Sequence, residues 1–335
     1  MSSAPRSCRI GLMGLGQIGR QIFRLAAAAP DLEVVAVADI GKPEVLRYLL
    51  ETTAEDAFPC RLEGNYLRGP AVSARMLQLA MPGDVPWDAF GVDCVIDATG
   101  RYRHREHAER HLEAGAGRLI YATLSDGQPD RLLVPGINDA EASALDRIVS
   151  AGSPTTNALA LLLDALDRGF GVEYAGMTTI HAYTSDQPLQ DYAQGDERRS
   201  RSAAQNIIPN ANESAARVEQ LLPRFAGRLS GLALNVPVQR GSLLDLDVVL
   251  RREDVTVEAV NAVLAKEAAS RPLLIGITND PIVSSDVIGC RQSLLFDAKA
   301  TQRAGRRLLK TLAWYEALGH ACRVLDVART YAAFG

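Results

Sequence analysis

Residues 8–20 read CRIGLMGLGQIGR. Cys8 to Met13 is short, apolar and without polar alternation, the pattern of a strand buried on both faces. Gly14, Gly16 and Gly19 follow as GxGxxG, and Gln17 to Ala29 then carries a helical period. Strand, glycine turn and helix in that order form a dinucleotide-binding unit. Gly14 permits the tight turn, Gly16 lets a pyrophosphate approach the backbone, and Gly19 lets the helix pack on the strand. The helix start, with Gln17 and Ile18, attracts phosphate. A second apolar run, LEVVAVAD, ends at Asp39, 20 residues beyond Gly19 (39 − 19). A carboxylate there accepts from ribose hydroxyls and repels a 2′-phosphate, which selects NAD over NADP. The competing reading, a glycine-rich turn with no ligand, leaves the acidic residue at that spacing unexplained.

Outward from this unit the first half keeps alternating. PEVLRYLLETT is helical, VDCVIDATG a strand, REHAERHLEAGA a helix and RLIYATL a strand. That order predicts a mainly parallel sheet with helices on both faces. Near residue 150 the texture changes. A helix over Ala158–Leu166 precedes EYAGMTTIHAYT, LSGLALNVPV and SLLDLDVVLRR, which predict an antiparallel sheet with one solvated face. TVEAVNAVLAKEAAS reads as an amphipathic helix, and Ala300 to Ala333 as mostly helical. Gln187 to Ile207 is a long polar stretch, the kind of loop that serves a function or an interface.

The chain has 335 residues, the length of about two domains. It is 47% hydrophobic and only 5% aromatic, so the core must be largely aliphatic. A net charge of −4 favours neither nucleic acid nor an anionic membrane. No apolar run reaches membrane-span length, no signal-peptide pattern opens the chain, and a cytoplasmic protein is expected. Cys8, Cys60, Cys94, Cys290 and Cys322 are odd in number and lack CxxC spacing, so reduced thiols are expected rather than disulfides or a zinc site.

Two local stretches bear on chemistry. Residues 153–157, SPTTN, combine an N-cap Ser153 with Pro154 at the first helical position, a strong helix start. Residues 104–111, HREHAERH, space His104, His107 and His111 on one helix face, with Glu106 and Glu109 in the same stretch. A solvated face is expected there rather than a surface metal site, and no metal is assigned.

Several stretches together resemble one family, the phosphorylating glyceraldehyde-3-phosphate dehydrogenases. They are GLMGLGQIGR, IDATGRYR, SPTTNALA, TTIHAYTSDQ, AAQNIIPNANESAA, LFDAKAT and RVLDVA, spread over nearly the whole chain. The resemblance implies an α/β fold, with a Rossmann dinucleotide-binding domain over 1–153 and an α+β catalytic domain with a mainly antiparallel sheet over 154–316. A C-terminal helix over 317–335 would return to the first domain. The polar segment over about 182–206 matches the family's S-loop, which implies a homotetramer.

That family's chemistry uses a cysteine thiolate, and the cysteine position falls on Pro154, which has neither nucleophile nor backbone donor. His181 matches the catalytic histidine. Ser153, Thr155 and Thr184 match anion-binding positions, and Arg199 matches a phosphate-holding arginine. Asn235 stands where the family has an arginine, and Asn212 and Glu213 where it has Thr-Gly. On the cofactor side Thr99, Gly100 and Ser125 match family positions. Met13 replaces an asparagine beside the glycine loop, and Cys322 falls where an asparagine orients the nicotinamide. The changes gather on the substrate side, which implies a retained dinucleotide site with a changed or abandoned substrate. Three readings follow. One is an NAD-dependent oxidoreductase with His181 as base and no covalent step. Another is an inactive NAD-binding paralogue that assembles with an active homologue. The last is thiol chemistry displaced to Cys322.

Overall fold

The computed structural model describes residues 7–52 and 58–334. The chain divides into two units, one running to Gly152 and resuming at Ala321, the other Ser153–His320.

The first unit contains β1 (Cys8–Met13), α1 (Gln17–Ala27), β2 (Leu32–Asp39), α2 (Pro43–Thr52), β3 (Arg61–Glu63), β4 (Tyr66–Gly69), β5 (Val72–Gln78), α3 (Trp87–Phe90), β6 (Cys94–Asp97), α4 (Arg105–Glu113), β7 (Leu119–Tyr121), β8 (Arg131–Leu132) and β9 (Ile148–Ser150). Its sheet has the order β3-β4-β5-β2-β1-β6-β7-β9-β8. From β5 to β8 every pairing is parallel, while β3 and β4 add an antiparallel edge. The chain reverses its winding between β2 and β6, on either side of β1, and such a switch point opens a crevice at the carboxyl ends of the strands. β1 is buried because both faces are covered: Ile10 and Leu12 lie in one core cluster and Met13 in another.

The second unit contains α5 (Pro154–Phe170), β10 (Val172–Ala182), β11 (Ile208–Ala211), α6 (Ser214–Leu221), β12 (Leu229–Val236), β13 (Ser242–Leu250), α7 (Val257–Ser270), β14 (Ile275–Thr278), β15 (Leu294–Ala304) and β16 (Leu308–Tyr315). The order is β11-β12-β10-β13-β16-β15-β14. β10 pairs with β12, and β14 with β15, in parallel. The sheet is therefore mixed, with antiparallel pairs in the majority, rather than purely antiparallel. α5 is longer than the apolar run suggested. It starts at the Ser153 cap and stops at Gly171, whose φ of 68° an L side chain rarely adopts. Residues Thr155 to Leu163 are all buried, so α5 is a core helix rather than a surface one.

The expectation of helix over Ala300–Ala333 is half wrong. β15 and β16 form a hairpin closed at Gly305, whose φ is 59°. LLKTLAWY alternates exposed or half-buried with buried residues, a period of two. Helix begins only at α8 (Ala317–Ala332). From Ala321 on, α8 places Ala321, Val324, Leu325, Val327, Ala328 and Tyr331 in the core of the first unit. No helix among the described residues is long and apolar enough to cross a membrane.

Candidate active site

The glycine loop shows what each glycine does. Gly14 has a φ of 90°, and a Cβ there would lie 2.8 Å from the Thr99 amide nitrogen. At Gly19 a Cβ would lie 2.0 Å from the Gly14 carbonyl oxygen, so α1 packs on the turn only because the side chain is missing. At Gly16 a Cβ meets nothing within 4 Å. Packing does not demand that glycine, whereas close approach of a ligand to the backbone does.

Asp39 sits at the end of β2. Its carboxylate accepts from the Leu15 amide at 2.7 Å and the Gly41 amide at 2.7 Å, tying the glycine loop to the turn after β2. Thr99 is fixed in the same way. Its amide and hydroxyl donate to Asp97 Oδ1 at 2.8 and 2.6 Å, and Gly100 beyond it has a φ of 66°. Met13, Gly14, Gly16, Asp39, Thr99 and Tyr102 line a cleft of about 190 Å³. Gly16's open space, an acidic wall and an apolar flank suit an adenosine group with its phosphates at the α1 N-terminus. Ser125 is buried and donates to the Gly127 carbonyl at 2.8 Å, outside this cleft.

The histidine row departs from expectation. α4 carries it, but His111 is completely buried rather than solvated. Its Nδ1 accepts from the Trp87 indole at 3.0 Å, and its Nε2 lies 3.5 Å from Asp97 Oδ2. The row's spacing is helical, yet one residue turns inward because a tryptophan and an aspartate distant in sequence receive it.

In the second unit the predicted residues come together around the start of α5. Ser153 Oγ accepts from the Thr156 amide at 3.1 Å, and Pro154 begins the helix. Thr156 and Ser214 hydroxyls meet at 3.1 Å, joining this start to that of α6. There Asn212 Oδ1 accepts from the Ser214 amide at 2.8 Å, and the exposed Glu213 carboxylate lies 3.5 Å from Arg217. Thr155 is buried against Tyr315, hydroxyl to hydroxyl at 2.9 Å. Tyr315 also meets Thr179 and stands edge-on to His181, ring centres 6.2 Å apart. Burial raises the Tyr315 phenol, although its hydroxyl neighbours offset part of that effect.

His181 is carried by β10, in register with Asn235 on β12. Its Nδ1 meets the Ala182 carbonyl, which can only accept, so Nδ1 bears the hydrogen and Nε2 keeps its lone pair. Burial holds the imidazole below its ordinary value, and Arg199 pushes the same way. The Ala182 carbonyl and Asp186 oppose them without reversing the shift. The ring is therefore neutral at pH 7.

Sequence reasoning missed three residues that bond to the positions expected to hold an anion: Asp186, Gln187 and Asn210. Asp186 receives both the Thr184 hydroxyl and the Arg199 guanidinium. These contacts keep its carboxyl below the usual range although burial pushes it upward. Asn235 is buried and donates to Gln187 Oε1 at 2.8 Å, while its own oxygen accepts from Asn210. The Thr184 amide also donates to Gln187 Oε1, at 3.2 Å. An amide chain of Asn210, Asn235 and Gln187 thus occupies position 235, and Arg199 already holds a carboxylate. The TSDQ tetrapeptide after His181 contained the signal, since an Asp and a Gln one and two residues past a strand-end turn are natural partners for the polar groups beside them.

Two family models match the chain. One is described as the glyceraldehyde 3-phosphate dehydrogenase NAD binding domain and covers residues 8–105, and the other is the C-terminal domain of that enzyme and covers residues 153–317. The chain is 40% identical over 336 residues to the glyceraldehyde-3-phosphate dehydrogenase of Kitasatospora aureofaciens, covering 97% of this chain and 99% of that protein. It is 37% identical to glyceraldehyde-3-phosphate dehydrogenase 2 of Streptomyces arenae, over 96% of this chain and 97% of the relative. With the Clostridium acetobutylicum glyceraldehyde-3-phosphate dehydrogenase it shares 38% identity, over 92% and 93%.

Proposed function

The chain belongs to the glyceraldehyde-3-phosphate dehydrogenase family and takes NAD as cofactor, and from that premise we propose that it oxidises an uncharged aldehyde hydrate or hydroxy compound without a covalent thiol intermediate. Pro154 carries this reading. It opens α5 where the resemblance puts the nucleophilic cysteine. The second unit, Ser153–His320, contains one cysteine in its sequence, Cys290. That thiol is held at 3.2 Å by Gln292, and burial raises its pKa, so little thiolate forms at neutral pH. Cys322 belongs to the first unit.

The remaining groups suit general-base chemistry. His181 offers a neutral Nε2 to a substrate hydroxyl and takes its proton as the C–H bond breaks. Bound NAD supplies the hydride acceptor. Base assistance of this kind is worth about 10²–10⁴-fold. Ser153 stands at the helix start to orient the substrate oxygen, and Thr155 holds Tyr315 beside His181. The amide chain at Asn235 and the pairing of Arg199 with Asp186 weaken the hold on a phosphate, which supports an uncharged substrate.

One observation favours the second reading, an inactive NAD-binding paralogue. Asn235 bonds to Gln187 and Asn210, Thr184 and Arg199 both bond to Asp186, and Asn212 holds the Ser214 amide, as in a site that has stopped working. Self-assembly into a homotetramer through the segment after His181, in the cytoplasm, belongs to either reading. The exposed apolar side chains of Leu189, Tyr192 and Ile207 support it. Assembly with an active homologue belongs to the second. Turnover of NAD with a panel of polyols and sugar aldehydes separates the two. Reduction of NAD by a member of the panel, lost in His181→Gln, supports the oxidoreductase; silence across the panel with tight NAD binding supports the paralogue.

A further inference from the structure

Cys8 and Cys94 are the first residues of β1 and β6, neighbouring strands of the first unit. In register Cys94 faces Ile10, so Cys8 lies two residues down the strand on the same face. The two sulfurs are 3.9 Å apart, and both side chains lie in the same core cluster. A cavity of about 370 Å³ reaches them, lined by Cys8, Cys94, Asp93, Arg118 and Tyr331 among others. Arg118 stacks on the Tyr331 ring, its guanidinium carbon 4.5 Å from the ring centre. A buried thiol pair joined to a cavity with a guanidinium in its wall differs from an inert core cysteine.

We propose that Cys8 and Cys94 form a reversible dithiol–disulfide site that reacts with peroxide through this cavity. The roles follow from the surroundings. The contact with Cys94 lowers the Cys8 thiol, and Arg118 acts in the same direction. Burial, Asp93 and Asp31 oppose this without reversing it. Cys94 is raised well above its ordinary value by its bond with Cys8 and by burial. Cys8, the end residue of β1 and the less buried of the two, is the attacking sulfur and Cys94 the resolving one.

The Cys8 thiolate attacks one oxygen of hydrogen peroxide. The O–O bond breaks, and Cys8 sulfenic acid and hydroxide form. Cys94 then attacks the Cys8 sulfur, losing its thiol proton to the departing hydroxyl, and the S–S bond forms with release of water. Two thiols and one peroxide thus give one disulfide and two waters. A dithiol reductant reverses the bond and is itself oxidised to a cyclic disulfide. Closure requires the sulfurs to approach from 3.9 Å to bonding distance of about 2.05 Å. Rotation about the Cα–Cβ bonds provides part of that approach. A shift at Cys8, the first residue of β1, provides the rest.

The test is to treat the full chain with hydrogen peroxide, quench, and map the thiols by mass spectrometry. Titratable thiols in denaturant should fall from the five of the sequence by two, with a mass loss of about 2 Da and a peptide joining Cys8 to Cys94. A dithiol should restore all five. In Cys94→Ser, Cys8 should instead gain one or more oxygens, whereas in Cys8→Ser, Cys94 should stay reduced. The native mapping alone decides the matter if a variant does not fold. Cys8 and Cys94 both recovered reduced at a peroxide dose that oxidises Cys290 or Cys322 would overturn the proposal, and so would separate oxidation of the two thiols without a joined peptide.

Discussion

Pro154 and His181 show how differently single residues can be read. Ser153-Pro154 was legible as a helix start because capping is local: the groups that satisfy one another lie within three residues. The state of His181 was not legible, because it is set by burial and by Ala182, Asp186 and Arg199 across a folded loop. Its depressed value gives two linked expectations. The acid limb of activity should fall below the ordinary histidine value of about 6.5, and His181→Gln should cost about 10²–10⁴ in kcat. The unfolded chain binds the proton more readily than the folded one between those two values. The stability contribution is therefore whole above about pH 6.5 and is lost as pH falls toward the folded value. A pH titration of kcat and of the denaturation midpoint, native against His181→Gln, checks both. An acid limb above 6.5 would contradict the assignment. The surroundings of Asn235 were not legible either, since the amides that bond to it, Gln187 and Asn210, come from separate segments of the chain.

Among elements, those with a local signature were read correctly. LEVVAVAD became β2 without a change of boundary, and the glycine loop took its place between β1 and α1. The elements that failed had signatures too short or too mixed to stand alone. β3, β4 and β9 are three or four residues long and exist through their neighbours in the sheet. β16 failed because Leu, Lys and Ala favour helix, while its pairing with β13 and the Lys310 bridge to Asp245 override that preference. The loop supports a contrast between two glycines. Gly16→Ala should leave the fold intact, with an unchanged melting midpoint, and weaken NAD binding about tenfold or more, because its Cβ meets only the space the pyrophosphate needs. Gly19→Ala should destabilise the protein itself, since its Cβ would lie within the Gly14 carbonyl. Calorimetry with NAD and thermal melts of both variants decide it; equal behaviour of the two would refute the separate roles.

On the scale of the whole molecule, the first unit is completed by the chain's last helix. Leu325 is 2% exposed within that core, so Leu325→Ala should cost about 2–5 kcal/mol, whereas a surface leucine would cost far less. Urea denaturation measures the difference. The two halves of the chain also differ in what they kept. The dinucleotide cleft has glycine loop, acidic wall and fixed Thr99 in working order. The proposed substrate side has His181 on β10, Pro154 at the start of α5 and amides around Asn235. Sequence position was enough to see the first, because its motif is contiguous. The second needed the fold, which gathers β10, β11, β12 and the starts of α5 and α6.

The measurement that tests the central claim most directly is NAD reduction by the purified chain, with uncharged hydroxy and aldehyde compounds on one side and glyceraldehyde-3-phosphate with phosphate on the other. Each assay is run before and after exhaustive alkylation with iodoacetamide. The account predicts turnover of an uncharged compound that survives alkylation and disappears in His181→Gln. Phosphate-dependent turnover of glyceraldehyde-3-phosphate that alkylation abolishes would contradict it.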